Sequence, residues 1–246
     1  MDAISAYIEN IKRVLNEVTG TQMSAMREAA ELISGATLAG NNVFAFGCSH
    51  AGLVTLELYY RTGGMATINP VRAPGLNLDV DPATMTSQME RLEGYGRVII
   101  DALPLSAGDV IIIHSVSGRN TVTVDAAVRA REKGATVIAL TNLNTSRTVS
   151  SRHPSGKNLY EVADLVIDNC GARGDASLTI PGVPEKAAPT STAIGAAILN
   201  AVVAQAIHNV VAAGGIPPVF VSANLDEGDS HNARMLEQYK KHIFYM

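Results

Sequence analysis

VIIIHSVSGRN, residues 110–120, is an apolar, β-branched run that passes without a break into histidine, serines, glycine, arginine and asparagine. Its first part leaves no position for a water-facing side chain, which is the mark of a strand buried on both faces. Its second part holds more donors than an ordinary turn needs. A serine N-cap accounts for one hydroxyl, at about 1 kcal/mol, but not for Ser115, Ser117, Gly118 and Asn120 together. A helix N-terminus carries unpaired N–H groups and partial positive charge, so it favours anions. Hydroxyls add neutral donors, and glycine lets the backbone approach closely. The stretch predicts an anion cradle at the carboxyl end of a core strand.

Working outward, similar runs alternate with helical patterns. Strands are expected at 42–46, 66–71, 109–114, 135–140 and 163–169. Helices are expected after residue 49 through Tyr60, over 86–103, from 120 to Gly134, from Pro189 to Ala213 and from Ser230 to Ile243, with a loop at 72–85. Before the first strand, Ile4, Ile8, Ile11, Leu15 and Val18 form one helical stripe, and Met23, Met26, Ala30 and Ile33 a second. These predict a helical hairpin over 1–40, an α/β core over 41–215 with five parallel strands covered on both faces, and a C-terminal segment over 216–246. All of this reads as one domain.

Composition narrows the function classes. The chain of 246 residues is 47% hydrophobic and 17% charged, as a globular protein is. A net charge of −4 with scattered basic residues gives no footprint for nucleic acid. Cys48 and Cys170 form neither a disulfide framework nor a zinc pattern. The run AIGAAILNAVVAQAI is interrupted by Asn200 and Gln205 and falls short of the roughly 20 residues of a membrane span. The expectation is a cytoplasmic protein with no membrane partner, no metal and no cofactor.

In open parallel sheets, ligands bind beyond the carboxyl ends of the strands. Here FGCSHAG (46–52) and HSVSGRN (114–120) both lead from a strand into a helix. FGCSHAG resembles the first glycine/serine loop of the sugar isomerase (SIS) domain family, and HSVSGRN resembles that family's Ser-x-Ser-Gly-x-Thr loop, with Asn120 in place of the usual Thr. PEKAAPTSTAIGAAILN (184–200) resembles a stretch of the N-acetylmuramic acid 6-phosphate etherases, and Ser49-His50 resembles the Ser-His of phosphoheptose isomerases. The resemblance spans roughly 35–215. It implies a three-layer αβα sandwich, phosphosugar binding, and homo-oligomers (dimer or tetramer) with sites near subunit boundaries. It further implies that Ser49, Ser115, Ser117, Gly118 and Asn120 hold the phosphate, that Thr190 and Ser191 complete the pocket, and that Glu185 contacts the sugar.

Isomerising an aldose to a ketose needs a base of moderate pKa and help in opening the ring. Glu57 shares a helix face with Leu53, Leu56 and Tyr60 and is one candidate, although the family's glutamate falls slightly further along, where this chain has Tyr59. His50 follows the first loop and either orients the sugar or caps the turn. His231, in NLDEGDSHN (224–232), either reaches a neighbouring subunit's site or sits in water at a helix start. Glu57 reads equally as a surface ion pair, Glu185 as a solvated charge, and Thr190-Ser191 as a helix cap. An isomerase acting through an enediol is the leading expectation. A phosphosugar lyase and a non-catalytic phosphosugar sensor are the alternatives.

Overall fold

The five apolar runs fold as expected, into one parallel sheet. The computed structural model describes residues 2–246. The strands are β1 (Val43–Gly47), β2 (Ile68–Pro70), β3 (Val110–His114), β4 (Thr136–Thr141) and β5 (Leu165–Asp168), in the order β2-β1-β3-β4-β5. In register, Val43 stands beside Val110, which stands beside Thr136. Side chains alternate across a strand, and here the alternation divides two cores. Val43, Ala45, Ile112, Ile138, Leu140 and Ile167 face α2 (Met23–Leu38) and α9 (Ser191–Ala212). Phe44, Phe46, Ile111, Ile113, Val137 and Ala139 face α5 (Tyr95–Asp101), α6 (Thr121–Glu132) and α8 (Leu159–Val162). The result is a three-layer αβα sandwich with helices on both faces of the sheet.

α9 is long and apolar enough to cross a membrane by length and composition. Ile194, Ile198, Leu199, Val202 and Ala206 instead pack it into the first core. The terminal segment adds a small third cluster, Ala66, Phe220, Met235 and Ile243. Its helix α10 (Gly228–Tyr239) is followed by a 3-10 turn at Lys240–His242, where a single helix to Ile243 was expected. Val219 bridges to Met65 just before β2, and the Asn69 side chain accepts from Phe244 N at 2.8 Å. The segment therefore lies along the β2 edge.

Several elements differ from expectation. α1 (Ala3–Thr21) and α2 are joined by Gln22 alone, which keeps a right-handed backbone and continues the hydrogen-bond ladder through Val18 and Met26. α1 runs from Tyr7, whose hydroxyl donates to the Pro189 carbonyl, to Thr21 beside Cys170. It crosses the carboxyl end of the sheet while α2 descends the face, so the pair is bent, not folded back as a hairpin. The helix expected over 86–103 is two short ones, α4 (Met85–Met89) and α5, parted at Gly94 with φ 80°. A two-stranded antiparallel ribbon, β6 (Ala176–Thr179) with β7 (Lys186–Pro189), precedes α9. Its strands of four residues are half-buried at best, so no apolar run announces them. α7 (Leu143–Ser146) is a single turn after β4, and α3 (His50–Leu56) is shorter than expected.

Candidate functional site

β1 and β3 are neighbours whose chains leave in opposite directions, β1 toward β2 and β3 toward β4. At such a switch point the following loops part and leave a crevice. A cavity of about 490 Å³ lies there, lined by Cys48 to Ala51, Glu90, Ser115 to Ser117, Asn120, Thr145, Asp175, Ser191 and Thr192 among others. The volume suits a small molecule.

Local backbone explains how the hydroxyls come to face it. Ser49 has φ 55° and ψ −129°, an uncommon conformation for a residue with a Cβ. It is held there by its N–H, which donates to the Leu76 carbonyl at 2.7 Å. Ser49 makes no capping bond to α3 and Asn120 makes none to α6, so these side chains are not spent on the helices. Gly118 has φ 61°, and a Cβ there would meet Ser146 Oγ at 3.0 Å. It shapes the turn without lining the cavity, and its N–H donates to Ser115 Oγ at 3.2 Å.

The electrostatics come from burial. Glu90, at the end of α4, has its pKa raised by burial, opposed by a hydrogen bond from Asn120 and by the charges of Arg91 and Arg152. Cys48 is pushed up to about 12 by burial and then by Glu90, so it stays a thiol. His114, beneath the cavity, is lowered to about 4 by burial; its Nδ1 lies 3.0 Å from the Ala51 carbonyl, and its Nε2 is buried with no partner among the described residues.

Of the residues expected at the site, Ser49, His50, Ser115, Ser117, Asn120 and Ser191 line one cavity. The others do not. α3 ends at Leu56, leaving Glu57 as its C-cap, paired with Arg61 and 3.4 Å from Asn200 Nδ2. Leu53 and Tyr60, taken as its packed neighbours, are exposed. Glu185 is exposed in the turn of the β6–β7 ribbon. His231 Nε2 lies 3.1 Å from the Val219 carbonyl, on the segment beside β2 and away from its own chain's cavity. Thr190 is fully buried.

At the α9 terminus Ser191 lines the cavity, as a residue completing the pocket should, whereas Thr190 is buried behind it, and both are engaged by an acid of the chain. Asp175 accepts from Thr190 N at 3.0 Å, Ser191 N at 2.7 Å and Ser191 Oγ at 2.7 Å. The anion that this helix dipole favours is supplied by the chain itself. Asp175 and Glu90 were invisible to pattern reading. Asp175 lies in a stretch without periodicity, at φ 71°, and Glu90 falls inside the single helix expected over 86–103, whereas it caps the shorter α4.

Residues 6–142, from α1 through the first residue after β4, match the family model of the SIS domain. The chain belongs to the SIS-domain family. This SIS protein is 45% identical to a UPF0309 protein of Shouchella clausii and 43% identical to one of Oceanobacillus iheyensis, each over the full length of both chains. In fold it is similar to a phosphoheptose isomerase from Francisella tularensis, with TM-score 0.53 and 16% identity over 82% of this chain and 95% of that one. The phosphoheptose isomerase from Neisseria gonorrhoeae gives TM-score 0.52 and 17% identity over 82% and 94%. The SIS match spans both serine loops and strands β1 to β4 of this chain, and so contains the switch point where the cavity opens.

Proposed function

We propose that the cavity binds a sugar phosphate and that the chain isomerises it between aldose and ketose. The observation that carries the reading is the convergence of Ser49, Ser115, Ser117 and Asn120 with two titratable groups, Glu90 and His50, in one cavity beyond β1 and β3. The serine side holds the phosphoryl group. Anchoring at a distance from the reacting carbons is what orients them.

The reaction removes a proton from the carbon beside the carbonyl while the carbonyl oxygen takes one up, which gives an enediol; the neighbouring hydroxyl then gives up its proton as the first is returned to the former carbonyl carbon. Glu90 is the base in this reading. Burial lifts its pKa toward the operating pH, where a general base works best, with Asn120 opposing part of that rise. His50 stands at the mouth and serves ring opening. Glu57 and His231 are assigned here to contacts outside the cavity of their own chain, and His231 is proposed to serve a neighbouring subunit. The working form is a homo-oligomer in this reading, because Ile4 and Ile8 at the start of α1 are 79% and 48% exposed.

Incubation with aldose and ketose phosphates in D2O tests the activity. Deuterium is expected at the carbon next to the carbonyl. Tight binding without exchange would remove the isomerase claim and leave the phosphosugar sensor.

A further inference from the structure

Outside the hydroxyl cradle, behind Asn120 at the edge of the cavity, lies a cationic cluster whose arginines do not themselves line it. Arg119 sits between Gly118 and Asn120, and Arg152 reaches the same place from the loop after α7. Arg152 Nη1 donates to Asn120 Oδ1 at 2.6 Å, and Arg152 N donates to the Arg119 carbonyl at 2.8 Å. That loop is pinned. Thr121 Oγ1 donates to the Arg152 carbonyl at 3.2 Å, and His153 Nε2 lies 3.0 Å from the buried Asp125 carboxylate. Arg119 Nη2 donates to Ser150 Oγ at 3.2 Å, while its Nε is buried without a hydrogen-bond partner among the described residues. Arg91 and Arg119 both act on Arg152 as like charges, with Glu90 the opposing carboxylate. By contrast, Arg97 and Arg129 are both paired with one acid, Glu132.

A buried guanidinium N–H without an acceptor is unfavourable in the empty protein, and gathering like charges at one place adds a smaller cost, screened by water at the exposed Arg152. An anionic ligand removes both. The serines line the cavity, whereas the arginines stand around Asn120 at its margin, so one phosphoryl group seated among the serines leaves the margin uncompensated. We propose that the ligand carries two anionic groups: a sugar phosphate whose phosphoryl lies among Ser49, Ser115 and Ser117 and whose second group, carboxylate or phosphate, is held by Arg119 and Arg152. This rests on the sugar-phosphate reading of the site and narrows its substrate class.

Calorimetric titration with matched pairs tests it: fructose 6-phosphate against fructose 1,6-bisphosphate, and glucose 6-phosphate against 6-phosphogluconate. The bisphosphate arm supports a second phosphate and the phosphogluconate arm a carboxylate. In at least one pair the doubly anionic member is expected to bind about tenfold tighter or more, as charge-assisted bidentate contacts allow. Arg119→Gln should erase that preference while changing the affinity for the singly phosphorylated partner by less than about threefold, and Arg119→Lys should keep part of it. The melting temperature of the free Arg119→Gln variant should equal or exceed that of the parent, because an uncompensated charge is gone. Equal affinity within both pairs, or a preference that survives Arg119→Gln, overturns the inference and leaves the sugar-phosphate reading standing. Failure of all four compounds to bind overturns both.

Discussion

Glu90 and His114 are titratable groups moved by the same cause, burial, with opposite consequences for stability. Glu90 is raised above the ordinary carboxylate value, so the folded chain holds its proton more tightly than the unfolded chain does. Stability is then greatest below that ordinary value and is lost as pH rises through the folded one. Glu90→Gln removes this loss. It should melt higher than the parent at neutral pH while isomerisation falls by about 10²–10⁴-fold, the usual worth of a general base. A variant that melts lower and keeps its activity would dismiss Glu90 as the base. His114 is lowered to about 4, so the unfolded chain is the better proton acceptor between that value and the ordinary histidine range. Stability is complete above the range and is lost as pH falls through it. The melting temperature should drop between about pH 7 and about pH 5, and His114→Asn should flatten the drop. Parallel curves for the two proteins would place the acid sensitivity elsewhere. Neither group was legible as special from sequence. His114 stands in the sequence as the last residue of a buried strand, and its unpartnered Nε2 shows only in the fold.

The helices and strands carry the part that sequence did convey. β1, β3 and β4 lie within one residue of their expected bounds, because buried apolar runs flanked by polar loops have no other way to fold. The serine loops were legible for the same reason: donors directly after a core strand have few structural uses. What escaped was decided by tertiary contact. α3 stops at Leu56, and Tyr60 enters the left-handed region at φ 47°, so the helix face on which Glu57 was placed ends before it. The α5–α6 crossing is likewise set by an approach that sequence did not announce. A Cβ on Gly96 would lie 2.2 Å from the Val122 carbonyl oxygen and 2.5 Å from Asp125 Cβ. Backbone oxygen cannot yield as a flexible side chain does, so Gly96→Ala should destabilise by about 2–3 kcal/mol in a denaturant titration. An unchanged midpoint would mean that the two helices separate without cost.

At the scale of the whole molecule, the single chain holds a cavity lined by serine hydroxyls and leaves apolar residues at the start of α1 uncovered. Assembly would cover them. Light scattering at micromolar concentration should give a multiple of the 25.8 kDa chain mass, and Ile4→Lys with Ile8→Lys should shift it toward that mass. Monomers in the parent protein would refute the oligomer. Mixed oligomers of His231→Ala and Ser117→Ala chains would regain activity if His231 serves a neighbour, and would stay inactive if it does not. Oligomeric placement could not be read from the sequence, because a polar segment such as 224–232 looks alike in water and at an interface. The central claim is that an anionic sugar ester sits where β1 and β3 part, held by serine hydroxyls. Calorimetric titration of sugar phosphates into the parent protein and the Ser115→Ala, Ser117→Ala double variant tests this most directly. Saturable binding by the parent, with affinity lost by about 100-fold or more in a variant of unchanged melting temperature, is the predicted result. Undiminished binding by the double variant would contradict it.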